Sequence, residues 1–357
     1  MASAQTGFIA PFDQPFIAGL EYAVDEINAA GGLNGSIPIE LDVRDGQSDA
    51  GKTVTVAQEL VDSGVDFLIL PGDGDLAVAG GAVGQQAGIP MMSAGTVPGM
   101  TDKVGDYMFG IAFGDNSDAA VLGKYAADQG IKTAFLLKSN DSTYTEDVPD
   151  YFAEVFTEAG GEIVGEAQYD LGQQDFSVTV TDIQNLNPQP DIIMTAAYEP
   201  DFPAFVKKLR SAGSKVPVWA ADAIDTPGVY ALGDKIDGTV LTASAFDAPG
   251  TPYAKFVKGF TEATGSKPEA SYAGLGGDAV KVIDAAVRDA GSTDGAPVRD
   301  AIASLKNVQS VTGKISYDYP GSNRMPLKTV YLLKPKDGAP ELIDTIIPSP
   351  SDIPPSK

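Results

Sequence analysis

A chain of 357 residues, 43% of them hydrophobic, can fill two domain cores, and no apolar run in it approaches the ~18 residues of a membrane helix. A formal net charge of −25 argues against nucleic acid or an anionic membrane surface as a partner. With no cysteine and no histidine, the chain cannot offer thiol nucleophiles, disulfides, histidine bases or histidine metal ligands, and the lack of cysteine fits an exported protein.

Residues 2–9 read as a first strand, followed by the segment Pro-Phe-Asp-Gln-Pro-Phe at 11–16. Ile17, Leu20, Val24 and Ile27 then share one helical face, and Gly31-Gly32 ends that helix. Ile39, Leu41 and Val43 alternate with charged residues as in a half-exposed strand, and Asp49 is placed to cap a helix bearing Val54, Ala57, Leu60 and Val61. The stretch 66–96 organises the rest. Its apolar run 67–70 is a strand buried on both faces, a helix of small residues starts near Asp75 and ends at Ala87-Gly88, and 89–92 is the next strand. In a strand, crossover helix, strand unit, ligands sit where strands end and helices begin, which places 72–75 and 93–96 at the mouth of a site.

A second series starts near Ser117, with strands at 134–137 and 163–164 and a full helical stripe of Val148, Tyr151, Phe152, Val155 and Phe156. The strand–helix–strand unit repeats here: 191–194 is a buried strand, Tyr198-Glu199-Pro200 opens a helix, and Asp222 follows the strand 216–219. Residues 241–245 close this lobe, and further helices, an irregular crossing at 313–323 and a strand at 329–333 follow. The expected class is α/β, with two doubly wound, Rossmann-like lobes joined by a three-segment hinge that closes on a ligand. The expected boundaries are 1–116 with 249–318 for the N-terminal lobe, 117–248 with 319–347 for the C-terminal lobe, and a loose tail at 348–357.

The segments 16–32, Asp45-Gly46-Gln47-Ser48-Asp49, Ala87-Gly88-Ile89-Pro90, Ser93-Ala94-Gly95-Thr96, 141–144 and Ala197-Tyr198-Glu199-Pro200 resemble the periplasmic Leu/Ile/Val-binding proteins, the type I substrate-binding proteins of ABC importers, over nearly the whole chain. The resemblance implies a site in which Ala94 and Thr96 form a turn that holds a ligand carboxylate. Tyr144 and Tyr198 are the second lobe's tyrosines, and Asp222 is the acid that pairs with a ligand ammonium. A helix-start serine of the family falls on Gly74, whose N–H remains at a helix N-terminus, beside Asp75, which is expected to turn away and cap the helix. The family's glycine-rich opening loop is shortened at 12–18, and a common tyrosine is Gly277, so the cleft is expected to be larger than in a leucine binder.

Simpler readings compete at each position. Asp73-Gly74-Asp75 lacks the further oxygen donors of a metal loop, so no metal and no cofactor are expected, and a capped helix start accounts for it. Phe12, Phe16, Phe113 and Trp219 can line the pocket or pack the lobes. The residues fit a monomeric, non-catalytic subunit that captures a small amino acid or related carboxylate for an ABC permease, working in the periplasm or anchored at the cell surface, with an export signal or lipid anchor expected ahead of the sequence. A ligand sensor on the same fold, or a binder of an aromatic or aliphatic carboxylate without an ammonium, are the alternatives. An enzyme is disfavoured, since the chain has no Gly-x-Ser-x-Gly elbow, no Walker-type phosphate loop and no histidine.

Overall fold

The computed structural model describes residues 1–357, which divide into two units. Unit 1 comprises Met1–Gly114, Ser244–Thr329 and Lys357; unit 2 comprises Asp115–Ala243 and Val330–Ser356. In chain order, unit 1 begins with β1 (Ala2–Ser3), α1 (Ala10–Ala29), β2 (Arg44–Asp45), α2 (Ala50–Asp62), β3 (Leu68–Leu70), α3 (Gly74–Ala87), β4 (Met91–Ser93), α4 (Met100–Val104) and β5 (Met108–Gly110). Unit 2 supplies α5 (Asp115–Asp128), β6 (Thr133–Lys138), α6 (Thr143–Glu158), β7 (Glu162–Gln168), α7 (Ser177–Asn185), β8 (Ile192–Thr195), α8 (Asp201–Ser211), β9 (Val218–Ala220), α9 (Pro227–Tyr230) and β10 (Leu241–Ala243). The chain returns to unit 1 for α10 (Pro252–Thr264), α11 (Tyr272–Ala290), α12 (Gly295–Ser304), β11 (Val308–Gln309) and β12 (Lys314–Ile315), then ends in unit 2 with β13 (Val330–Lys336) and β14 (Ala339–Ile346).

In unit 1, β3, β4 and β5 form a parallel sheet, and β1 pairs in parallel with β2. Residues 39–43 form no strand; the pairing falls one step later, at Arg44–Asp45, and the first strand stops at Ser3. Helix α1 begins at Ala10 rather than near Ile17, since Pro11 sits in the first turn, where its missing N–H costs nothing. It therefore absorbs the segment read as an opening loop. Its interior Gly19 lies against α11: a Cβ there would stand 1.9 Å from Ala273 O, and one on Gly276 would stand 2.3 Å from Phe16 O. These glycines let the two helix backbones approach closely. Phe16, Leu20, Leu275, Ala279 and Val282 share the core beneath.

In unit 2, the sheet order is β14-β13-β10-β9-β8-β6-β7, parallel from β10 to β7, with β13 and β14 antiparallel at one edge. The apolar stripe of α6 is buried as its spacing predicts. Strand β14 lies beyond the elements expected from the sequence. Its signal is Asp337-Gly338, which takes positive φ at both positions (51° and 77°) and so makes the two-residue turn that twists with a hairpin.

The chain passes between the units at Gly114/Asp115, Ala243/Ser244 and Thr329/Val330. The last crossing lies beyond the expected 318/319 boundary because several contacts hold 316–328 in unit 1. Tyr317 donates to Gly110 O (2.6 Å), Ser316 bridges Leu327, and Lys328 pairs with Asp278 at 2.8 Å, both residues at most 1% exposed. The second crossing precedes the expected 248/249 boundary, since Ala245 packs with Tyr253 and Phe256. Residues 348–357, expected to be loose, are tied down: Asn116 Nδ2 donates to Pro354 O (2.7 Å), and Lys124 pairs with Asp352 (2.6 Å).

Candidate functional site

Leu70 and Ser93 are register partners at the ends of β3 and β4, so the loops that follow leave the sheet together at its carboxyl end. Ser93 Oγ donates to Pro71 O (2.6 Å) and accepts from Gly95 N (2.8 Å), fixing one loop to the other. Helix α3 starts at Gly74, with Asp73 as its N-cap accepting from Leu76 N at 2.8 Å. The cap is thus Asp73 and not Asp75, which is exposed in the first turn, because only the residue before the first helical one can reach the third amide. Gly74 has no room for a side chain: a Cβ would stand 2.6 Å from Val97 Cβ. A Cβ on Gly95 would stand 2.9 Å from Gly74 N, so glycine at 95 keeps that amide from being covered. Ala94 and Thr96 lie in the same turn, each 8% exposed.

Asp13, not singled out from the sequence, anchors this half-site. Its carboxylate accepts from Ala4 N (2.6 Å) and Gly72 N (2.8 Å), joining the end of β1, helix α1 and the loop after β3. Burial pushes its pKa up to about 6 against the pull of those two amides, with smaller upward contributions from Asp73 and Asp45. Asp73 is likewise pushed up to about 6 by burial. The helix start therefore presents amide dipoles beside acids that hold their protons more readily than usual.

In unit 2, β6, β8 and β9 are adjacent strands, and the loops at their carboxyl ends carry Tyr144, Tyr198 and Asp222. Ser142 caps α6 by accepting from Thr145 N (3.3 Å), placing Tyr144 in the first turn. Tyr144 OH donates to Asp222 Oδ1 at 3.1 Å and accepts from Ala223 N at 3.2 Å. The rings of Tyr144 and Tyr198 stand 6.4 Å apart at 50°. Asp222 is 4% exposed and Tyr198 8%. Sequence reasoning missed Asp118, a wholly buried acid in the first turn of α5, whose Oδ2 accepts from Thr242 Oγ1 at 3.1 Å. Burial, then the negative charges of Asp222 and Asp115, push it well above the usual carboxylate range. Its signal was the i, i+3 spacing of Asp115 and Asp118, which puts both acids on one face of α5.

The residues suggested as pocket walls make protein contacts of their own. Phe16 and Phe113 are core residues at 2% and 0% exposure. Phe12 stacks edge-on against Tyr272 with ring centroids 5.3 Å apart. Trp219 packs on Tyr125 and donates from Nε1 to Gly238 O at 3.2 Å. Gly277 makes room for protein: a Cβ there would stand 2.7 Å from Val311 Cγ2 and 3.0 Å from Phe256 Cε2. The space left by the missing tyrosine at 277 is thus filled by Val311 and Phe256, so of the two grounds for a larger cleft only the shortened segment at 12–18 stands.

The sequence model described as periplasmic binding protein matches residues 1–339. The Leu/Ile/Val-binding protein BraC3 of Rhizobium johnstonii is 25% identical over 335 residues, covering 90% of this chain and 89% of that protein. Among solved structures, a leucine-binding protein LivK from Thermotoga maritima superposes with a TM-score of 0.88 at 24% identity, covering 98% of both chains. A solute-binding protein of an ABC transporter from R. palustris in complex with benzoate gives 0.82 at 22% identity, covering 96% of this chain and 94% of that one. These two structural likenesses bear on the fold.

Proposed function

Because the chain belongs to the periplasmic binding protein family, the solute-binding components of ABC transporters, we propose that it captures a small amino acid or related carboxylate and delivers it to a membrane permease. It is not an enzyme. In this reading the protein acts outside the cytoplasm, and no helix is long and apolar enough to cross a membrane. In this reading unit 1 offers Gly74 N–H, the turn at Ala94 and Thr96, and the positive end of α3 to a carboxylate, and unit 2 offers Asp222 to an ammonium. Asp75 is exposed in the first turn of α3, next to Gly74.

The observation that supports this most is the Tyr144–Asp222 bond. A buried carboxylate held at 3.1 Å by a phenol, which itself accepts from Ala223 N, has a fixed direction before any ligand arrives. Such an acid pairs with a cation without the cost of being ordered first. The alternative, a carboxylate lacking an ammonium, is favoured by the similarity to the solute-binding proteins of R. palustris in complex with benzoate and of Rhodopseudomonas palustris BisB5 in complex with 3,4-dihydroxy benzoic acid.

A thermal-shift panel of amino acids, their deaminated acids and benzoates separates the two readings, since a ligand that binds only the folded state raises the midpoint by mass action. The proposal expects an amino acid to give the largest shift. Shifts confined to benzoates would favour the alternative, and a panel with no shift would remove both.

A further inference from the structure

Asp222 stands on a stretch of unit 2 that has no long helix or strand of its own. Beyond the end of β9 at Ala220, the chain makes a 3₁₀ turn at Asp222–Ile224 and then the single turn of α9, so bonds from neighbouring loops fix the acid's place. At the start of the stretch, Tyr144 OH donates to Asp222 Oδ1 and accepts from Ala223 N. Towards its end, Thr226 Oγ1 donates to Glu199 Oε1 at 2.7 Å and accepts from Val229 N at 3.3 Å, while Asp225 N donates back to Asp222 O at 2.9 Å. Tyr230 OH also donates to Asp225 Oδ1 at 2.7 Å, but both residues lie within 222–230, so that bond ties the stretch only to itself. Glu199 directly follows Tyr198, so the Thr226–Glu199 bond joins the loop after β8 to the loop after β9. Gly228 clears the seat that Glu199 occupies. It takes no positive φ and lies in α9, where alanine would suit the helix better, yet a Cβ there would stand 2.3 Å from Glu199 Oε1 and 2.9 Å from its Cδ.

Resting on the reading of Asp222 as the partner of a ligand ammonium, we propose that Glu199 is a positioning residue, which through Thr226 sets where the carboxylate of Asp222 meets that ammonium. A charge-assisted bond depends on distance and direction, and an acid on an irregular stretch keeps both only while its support is fixed. Without the Glu199 bond, the stretch loses its tie to the loop after β8 beyond Asp225, and Asp222 has to be ordered as the ligand arrives. That loss falls on a ligand that carries the ammonium and spares a carboxylate that lacks it. Glu199 works here as a hydrogen-bond acceptor and not by its charge, because the atom it holds is a neutral hydroxyl.

The test measures dissociation constants by calorimetry for leucine and phenylalanine, each paired with its deaminated acid. The proteins are the native chain, Glu199→Ala, Glu199→Gln, Gly228→Ala, and Asp222→Asn with and without Glu199→Ala. Glu199→Ala is expected to lower the preference for the amino acid over its deaminated acid about fivefold, while Glu199→Gln, which still accepts from Thr226, stays within about twofold of the native protein. Gly228→Ala displaces the end of a flexible side chain and not backbone, so it serves if Glu199→Ala does not fold, and it lowers the preference as Glu199→Ala does. In Asp222→Asn the preference is already lost, and adding Glu199→Ala changes it no further. If Asp222→Asn loses the preference but Glu199→Ala and Gly228→Ala keep it, or weaken both members of a pair equally, the proposal is overturned and the reading of Asp222 survives. A Glu199→Gln protein as poor as Glu199→Ala would show an effect of charge and also overturns it. If Asp222→Asn binds both members as the native protein does, or if none of the compounds binds the native protein, the reading of Asp222 fails and this inference falls with it.

Discussion

Val97 occupies the space that a side chain at position 74 would need: a Cβ on Gly74 would stand 2.6 Å from Val97 Cβ and 2.7 Å from its Cγ2. The missing hydroxyl at the start of α3 is therefore coupled to a valine two residues beyond the turn at Ala94 and Gly95. Gly74→Ser alone should destabilise the protein by about 1–3 kcal/mol through overpacking. Adding Val97→Gly, which removes both the Cβ and the Cγ atoms, should recover part of that loss. Denaturant unfolding of the two variants checks this, and an equal loss in both would disprove the coupling.

The Lys328–Asp278 pair makes a second prediction. Lys328 Nζ donates to Asp278 Oδ2 (2.8 Å) and Ile111 O (2.9 Å), and Asp278 also accepts from Thr312 N at 2.9 Å. Burial lowers the pKa of Lys328 against the attraction of Asp278. Lys328→Met leaves a buried carboxylate without its cation and should cost about 3–5 kcal/mol, while the double variant with Asp278→Leu should cost much less. Equilibrium unfolding of the single and double variants decides it.

Asp13 gives a pH dependence of known sign. Its folded pKa is raised to about 6 from 3.8, so the folded state binds its proton more tightly than the unfolded chain does. Its contribution is therefore most favourable below the unfolded value and is lost as pH rises through about 6. Relative to Asp13→Asn, the native protein should gain about 3 kcal/mol on going from about pH 7 to about pH 3.5, because each tenfold difference in proton affinity between the folded and unfolded states is worth about 1.4 kcal/mol. Unfolding curves at a series of pH values measure the difference. A native protein that instead loses stability relative to the variant on acidification would contradict the assignment.

Gly277 separates packing from pocket size. Gly277→Ala brings a methyl group to 2.7 Å from Val311 Cγ2 and should lower stability by about 1–3 kcal/mol without changing ligand affinity. A change in affinity with unchanged stability would return this position to the pocket wall.

Much of this was legible in the sequence. The unbroken apolar run ending in Pro71-Gly72 marked β3, and the helical stripe from Val148 to Phe156 marked α6, because burial on both faces or on one stripe leaves a periodic record. Tyr144 and Asp222 were placed by the resemblance, and the structure brings them to hydrogen-bonding distance. What stayed hidden depends on contacts far apart in the chain. Asp13 reads as one acid among 49 until Gly72 N is seen to donate to it, and Asp118 gains meaning only when β10 brings Thr242 to it. Gly277 misled for the same reason, since a glycine in one sequence cannot tell whether ligand or protein fills the space it leaves.

If Asp222, held by Tyr144, pairs with the ammonium of a captured amino acid, removing its charge must weaken that ligand selectively. Calorimetry should compare the native protein with Asp222→Asn, using the amino acid that gives the largest thermal shift together with its deaminated acid. Loss of the charge partner is expected to weaken binding of the amino acid by about 2–5 kcal/mol and to leave the deaminated acid nearly unchanged. Equal affinity of the amino acid for both proteins, with the fold intact, would contradict the account.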